Sequence, residues 1–252
     1  FALIVNILLN FYERNDKIKE KFPAEVAMHY HISTGLILQE FPKGSECPVC
    51  EIRAIVEKQI VDQFLNEAVM VDNYRDKVNK RGFCAHHYDM LLAGNSKLGV
   101  ALQAITRMKA LAGNVTVPKN AKDAARQADA IDKAGETCLI CDLIDFNMQR
   151  YYKTIAQMYG NEREFPAMLA GTKGFCFHHY AELLRNAKEA GGKVKDYIRA
   201  LAETEEKNLS RMNGELQWFC DKHDYRNREK PLGASADALP RSRTKFYGKK
   251  TI

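Results

Sequence analysis

The stretch Cys47–Leu92 reads CPVCEIRAIVEKQIVDQFLNEAVMVDNYRDKVNKRGFCAHHYDMLL, and residues 138–184 follow the same plan as CLICDLIDFNMQRYYKTIAQMYGNEREFPAMLAGTKGFCFHHYAELL. Cys47, Cys50, Cys84 and His87 of the first stretch match Cys138, Cys141, Cys176 and His179 of the second. Between the inner cysteines lie 33 residues in one and 34 in the other. Agreement of this kind between otherwise dissimilar stretches reads as an internal duplication. Each stretch offers three sulfurs and one imidazole, the donor set of a closed tetrahedral zinc site. In C-x2-H at a helix start, the two donors share a face, so both can aim at one ion. The helix N-terminus beside them favours the thiolate, the form that ligates.

The spacing predicts an all-α fold. After Cys50, Ile52, Ile55, Val56, Ile60, Phe64 and Leu65 recur at helical intervals, as do Leu143, Ile144, Met148, Tyr151, Tyr152 and Ile155 in the second stretch. A polar segment follows each helix and ends in Gly82 or Gly174, and Phe-Cys-x-His-His-Tyr then opens a short helix. A third helix is expected near residues 97–112, marked by Leu98, Ala101, Leu102, Ile105 and Met108. Its counterpart is expected near residues 194–219, marked by Tyr197, Ile198, Leu201, Leu209 and Met212.

Each copy is thus read as about three helices stapled by its own Cys3His site. A helix from Cys50 to Leu65 rises roughly 24 Å, and the chain beyond it is long enough to return to its start. The expected organisation is an N-terminal extension (1–27), a first metal-binding repeat (28–113), a spacer helix (114–137), a second repeat (138–223) and an irregular C-terminal segment with a basic tail (224–252).

His86 and His178 stand next to the assigned ligands. Two residues on from the cysteine, they point away on a helix, so they are read as surface residues or as groups behind the ligand. Cys220 and His223 echo the same pattern, but no C-x2-C precedes them, and two ligands do not make a site.

Composition narrows the functions. The net charge is +6, but the last twelve residues, RSRTKFYGKKTI, carry five basic residues and no acid. The body is therefore near neutral, which argues against nucleic acid as partner. That tail is read as a solvated end. The apolar start, FALIVNILLN, lacks a basic leader and is too short to span a membrane. Seven cysteines grouped as C-x2-C and C-x2-H, with no secretion signal, point to metal ligation rather than a disulfide frame, and to the cytoplasm.

Two zinc ions are the expected cofactors, with iron–sulfur clusters as the alternative, since thiolates and imidazole also hold iron. No phosphate loop and no nucleophile–base pair can be read, so the sequence points away from catalysis. The leading reading is an interaction or regulatory protein with structural metals and an unidentified protein partner. The alternatives are an iron–sulfur or thiol-based redox protein and a metalloenzyme with one open coordination position.

In combination these motifs resemble a bacterial protein family of uncharacterised function. Its pattern has Tyr30-His31-Ile32-Ser33-Thr34 ahead of the two stretches and Trp218-Phe219, Asp224-Tyr225-Arg226-Asn227 and Asp237-Ala238-Leu239-Pro240-Arg241 after them. The resemblance covers about residues 28–245 and implies a cytoplasmic bacterial protein without naming an activity.

Overall fold

The computed structural model describes residues 32–66 and 72–249. The proposed extension 1–27, together with Tyr30 and His31, lies outside the described residues. Among the described residues every regular element is helical: α1 Ile32–Glu40, α2 Pro48–Asn66, α3 Asp72–Arg81, α4 Ala85–Ala93, α5 Lys97–Ala112, α6 Ala121–Gly135, α7 Leu139–Asn161, α8 Phe165–Ala170, α9 Phe177–Arg185, α10 Val194–Asp221 and α11 Ala238–Tyr247. No described helix is long and apolar enough to cross a membrane. The described residues divide into two compact units, one of residues 32–53 with 149–249 and one of residues 54–66 with 72–148. These units do not coincide with the two similar sequence stretches, because the division falls within α2 and α7.

In the discontinuous unit, Tyr151, Tyr152, Ile155, Ala156 and Tyr159 of α7 are buried, as are Tyr197, Leu201, Thr204, Asn208 and Met212 of α10. Both sets recur every three or four residues, so each helix turns one continuous face inward. Phe41 lies 5.4 Å from Phe165 and 6.2 Å from Phe175, ring centre to ring centre, and all three are buried. Each such ring stabilises the unit by about 2 kcal/mol relative to exposure.

The C-terminal segment, expected to be irregular, instead ends in α11 with Ala238, Ser242 and Lys245 buried. Arg241 fixes it: its guanidinium pairs with Asp237 at 2.8 Å, with Glu46 at 2.9 Å and with Glu215 at 2.6 Å. Arg211 meets Glu46 at 2.6 Å and Glu215 at 3.0 Å, closing a five-residue charge network beside Cys47. The tail therefore contributes a packed helix to the unit rather than a solvated end.

In the 54–148 unit, Val56, Ile60, Phe64, Val78, Leu91, Val100, Ile140 and Ile144 are buried. The helix at 97–112 forms as expected, but with the opposite face inward. Val100 and Gln103 are buried, whereas Leu98, Leu102, Ile105 and Met108 are exposed. The spacer helix α6 begins at Asn120, whose side chain accepts a hydrogen bond from the Asp123 amide, and it buries no residue. Besides α11, the periodicity argument left out α1, polar α3, and α8, which at six residues is too short to show a period.

Candidate metal centres

Both C-x2-C motifs open long helices. Cys47 directly precedes α2 and Cys138 directly precedes α7, so Cys50 and Cys141 lie within the first turn. Cys84 and Cys176 take extended backbone as the residues preceding α4 and α9, which places His87 and His179 one turn inside those helices. The glycine two residues earlier has a positive φ, 63° at Gly82 and 76° at Gly174. A side chain there would strain the turn and strike a neighbour, Glu205 Oε2 in the case of Gly174.

The eight donors gather into two groups of four, but not as the sequence suggested. Cys47 and Cys50 meet Cys176 and His179, while Cys138 and Cys141 meet Cys84 and His87. Each stretch gives its C-x2-C to one group and its C-x2-H to the other. The aromatic residue before each C-x2-H helps explain the exchange. Phe83 packs edge-on against Phe64 at 5.5 Å, about 20 Å along the helix from Cys50. Phe175 packs against Phe41, just ahead of Cys47. The Gly82 carbonyl also accepts a hydrogen bond from the Leu139 amide at 3.0 Å, tying the first G-F-C turn to the second C-x2-C.

In the first group, His179 Nδ1 lies 3.4 Å from Cys47 Sγ and 3.3 Å from the sulfurs of Cys50 and Cys176. The Cys50 and Cys176 sulfurs are 3.7 Å apart. In the second, His87 Nδ1 lies 3.2, 3.3 and 3.4 Å from the sulfurs of Cys84, Cys138 and Cys141, and Cys84 and Cys141 are 3.9 Å apart. Three sulfurs and one nitrogen around a single zinc-sized ion lie roughly 3.8 Å apart, sulfur to sulfur, and roughly 3.6 Å apart, sulfur to nitrogen. Both groups approach those edges.

Proton chemistry also fits a cation. The hydrogen bond shared with Cys176 pushes the Cys50 thiol up to about 12, and burial raises Cys47 well above the usual thiol range. Burial beside Cys138 raises Cys141 as well. Cys176 is held far below that range by hydrogen bonds with Cys47 and Cys50. Burial opposes ionisation of Cys138, but its hydrogen bond with His87 brings it down to about 6. Clustered thiolates repel one another until a divalent ion supplies positive charge.

The surroundings differ. Around the first group all four donors are buried. Glu205 and Lys245, themselves buried, clamp its G-F-C turn: Glu205 accepts from the Phe175 amide at 2.7 Å, and Lys245 donates to the Lys173 carbonyl at 2.7 Å. The Lys249 amide donates to Cys50 Sγ at 3.3 Å. His179 Nε2 is buried with no hydrogen-bond partner among the described residues. In the second group Cys84 and Cys141 are half-exposed. There Glu57, buried, lies 2.9 Å from His87 Nε2 and 3.2 Å from His86 Nε2. Exposed Arg81 holds Asp142 through two hydrogen bonds of 2.6 and 2.7 Å.

The structure turns His87 and His179, rather than His86 and His178, toward the sulfurs. Cys220 is exposed and joins neither group. Sequence reasoning missed Glu57, Glu205 and Lys245. A signal for Glu57 was present: it stands seven residues after Cys50, where the second stretch has Met148, so the two stretches differ in the one group able to accept from an imidazole. Lys245 was hidden by its place in a basic tail.

Fold and site together define an all-helical protein with two Cys3His donor groups able to hold a metal. The chain belongs to a family of unknown function (DUF6062), whose model matches residues 28–251. It is also similar to an uncharacterized 23.9 kDa protein in the xynA 3' region of Caldicellulosiruptor sp. (strain Rt8B.4), 21% identical over 185 residues that cover 73% of this chain and 86% of the relative. No solved structure matches the chain.

Proposed function

We propose that the chain is a cytoplasmic interaction or regulatory protein whose helices are held by two structural zinc ions, one in each Cys3His group. The observation that carries this reading is the closure of both groups: each already supplies four donors at tetrahedral separations. A metalloenzyme would need an open coordination position instead. In each group all four donors lie within 4.8 Å of one another, which favours a single ion over a sulfide-bridged iron cluster, whose ligands are divided between irons. All seven cysteines are free, which suits a reducing compartment. The interaction role is supported by α5, whose Leu98, Leu102, Ile105 and Met108 face solvent along one helix.

Metal analysis of protein purified without oxygen tests the reading. About two zinc ions per chain are expected. Less than one equivalent of any transition metal would contradict it, and a brown protein with visible iron–sulfur absorption would replace zinc by iron.

A further inference from the structure

We propose that Cys84 and Cys141 form a reversible oxidation site, at which a peroxide converts the two thiolates to a disulfide and frees the metal of that group alone. The proposal rests on the metal reading above for the metal's release, but not for the disulfide. Three observations converge. Cys84 and Cys141 are half-exposed, whereas Cys47, Cys50, Cys138 and Cys176 are all buried. Their sulfurs lie 3.9 Å apart, so bonding requires a closure of about 2 Å. The other group is covered: the Lys249 amide donates to Cys50 Sγ, and a Cβ on Gly248 would sit 3.5 Å from that sulfur and 3.8 Å from Cys176 Sγ.

The chemistry balances with the peroxide as oxidant. One thiolate attacks a peroxide oxygen, the O–O bond breaks, and a sulfenic acid forms while the departing hydroxide takes a proton to become water. The second thiolate attacks the sulfenic sulfur, the S–S bond forms, and the hydroxide that leaves is protonated to a second water. Two electrons pass from sulfur to oxygen, and the metal keeps its charge. Cys138 and His87 then remain as its ligands, too few to retain a structural zinc ion. A dithiol reductant reverses the step by thiol–disulfide exchange.

The test uses the full chain carrying Cys220→Ser, which removes the exposed thiol outside both groups. Hydrogen peroxide is added in steps, released zinc is read with a chromogenic chelator, and disulfides are mapped by peptide mass spectrometry. The expected result is loss of one of two zinc ions, a Cys84–Cys141 disulfide, and recovery with dithiothreitol and zinc. Simultaneous loss of both ions, earlier oxidation of Cys47, Cys50 or Cys176, or a Cys138–Cys141 disulfide would each overturn the assignment. Protein with less than one zinc before any oxidant is added overturns the metal reading, and the disulfide map still decides the oxidation site.

Discussion

The two centres use the same donor types on similar helix starts, in opposite chain order, yet they are supported by opposite means. The centre at Cys47, Cys50, Cys176 and His179 is closed by packing: a buried Glu205–Lys245 pair holds its turn, and the backbone at Gly248 and Lys249 covers its sulfurs. The centre at Cys138, Cys141, Cys84 and His87 is closed by hydrogen bonding: Glu57 orients His87, and two of its cysteines are only half-buried. Ligand identity is therefore a poor guide to how firmly a site is held. The residues behind the ligands set its rigidity, its access and the basicity of its imidazole.

The largest effect is expected from Lys245→Met. It leaves Glu205, whose carboxyl burial already raises, without its cation, at a cost of about 3–5 kcal/mol. Denaturant unfolding followed by hydrogen exchange should show the loss around residues 173–176, and the double variant Glu205→Gln with Lys245→Met should recover part of it. Equal loss of protection around residues 82–87 would mean that the two centres are not supported separately.

Glu57→Gln should act on the other centre. Removing the carboxylate that orients His87 should weaken that metal about 10–100-fold in chelator competition and leave the first centre unchanged. Among the described residues no hydrogen-bond partner backs His179 Nε2, so an effect of Glu57→Gln at that centre would remove the contrast.

The smallest effect is expected on α5. Leu98→Ser and Met108→Ser alter side chains that face water, so stability should change by no more than about 0.5 kcal/mol. A loss of 2–5 kcal/mol, as for a buried leucine, would restore the inward-facing stripe that periodicity suggested.

That stripe shows where sequence reasoning stops. The period of α5 is real, but periodicity states that a helix has an apolar face without stating what covers it. The helices after Cys50 and Cys141 were readable because their apolar positions are numerous and regular. The short α8 and polar α3 were not. The eight donors were readable because C-x2-C and G-F-C-x-H-H pair donor spacing with helix starts. Their partnership was not, because exchanging the two C-x2-H halves leaves both donor sets complete, and a connection of about 33 residues can return or travel onward. The choice is made by Phe83 against Phe64 and Phe175 against Phe41, contacts between residues far apart in sequence.

Zinc content of the double variant Cys47→Ser with Cys176→Ser decides between the two partnerships. Both residues belong to one group, so the variant should keep about one zinc per chain, bound by Cys84, His87, Cys138 and Cys141. Cys47→Ser with Cys84→Ser strikes both groups and should keep none. The opposite result, no zinc in the first variant and about one in the second, would contradict the crosswise pairing and return each metal to a single stretch of the sequence.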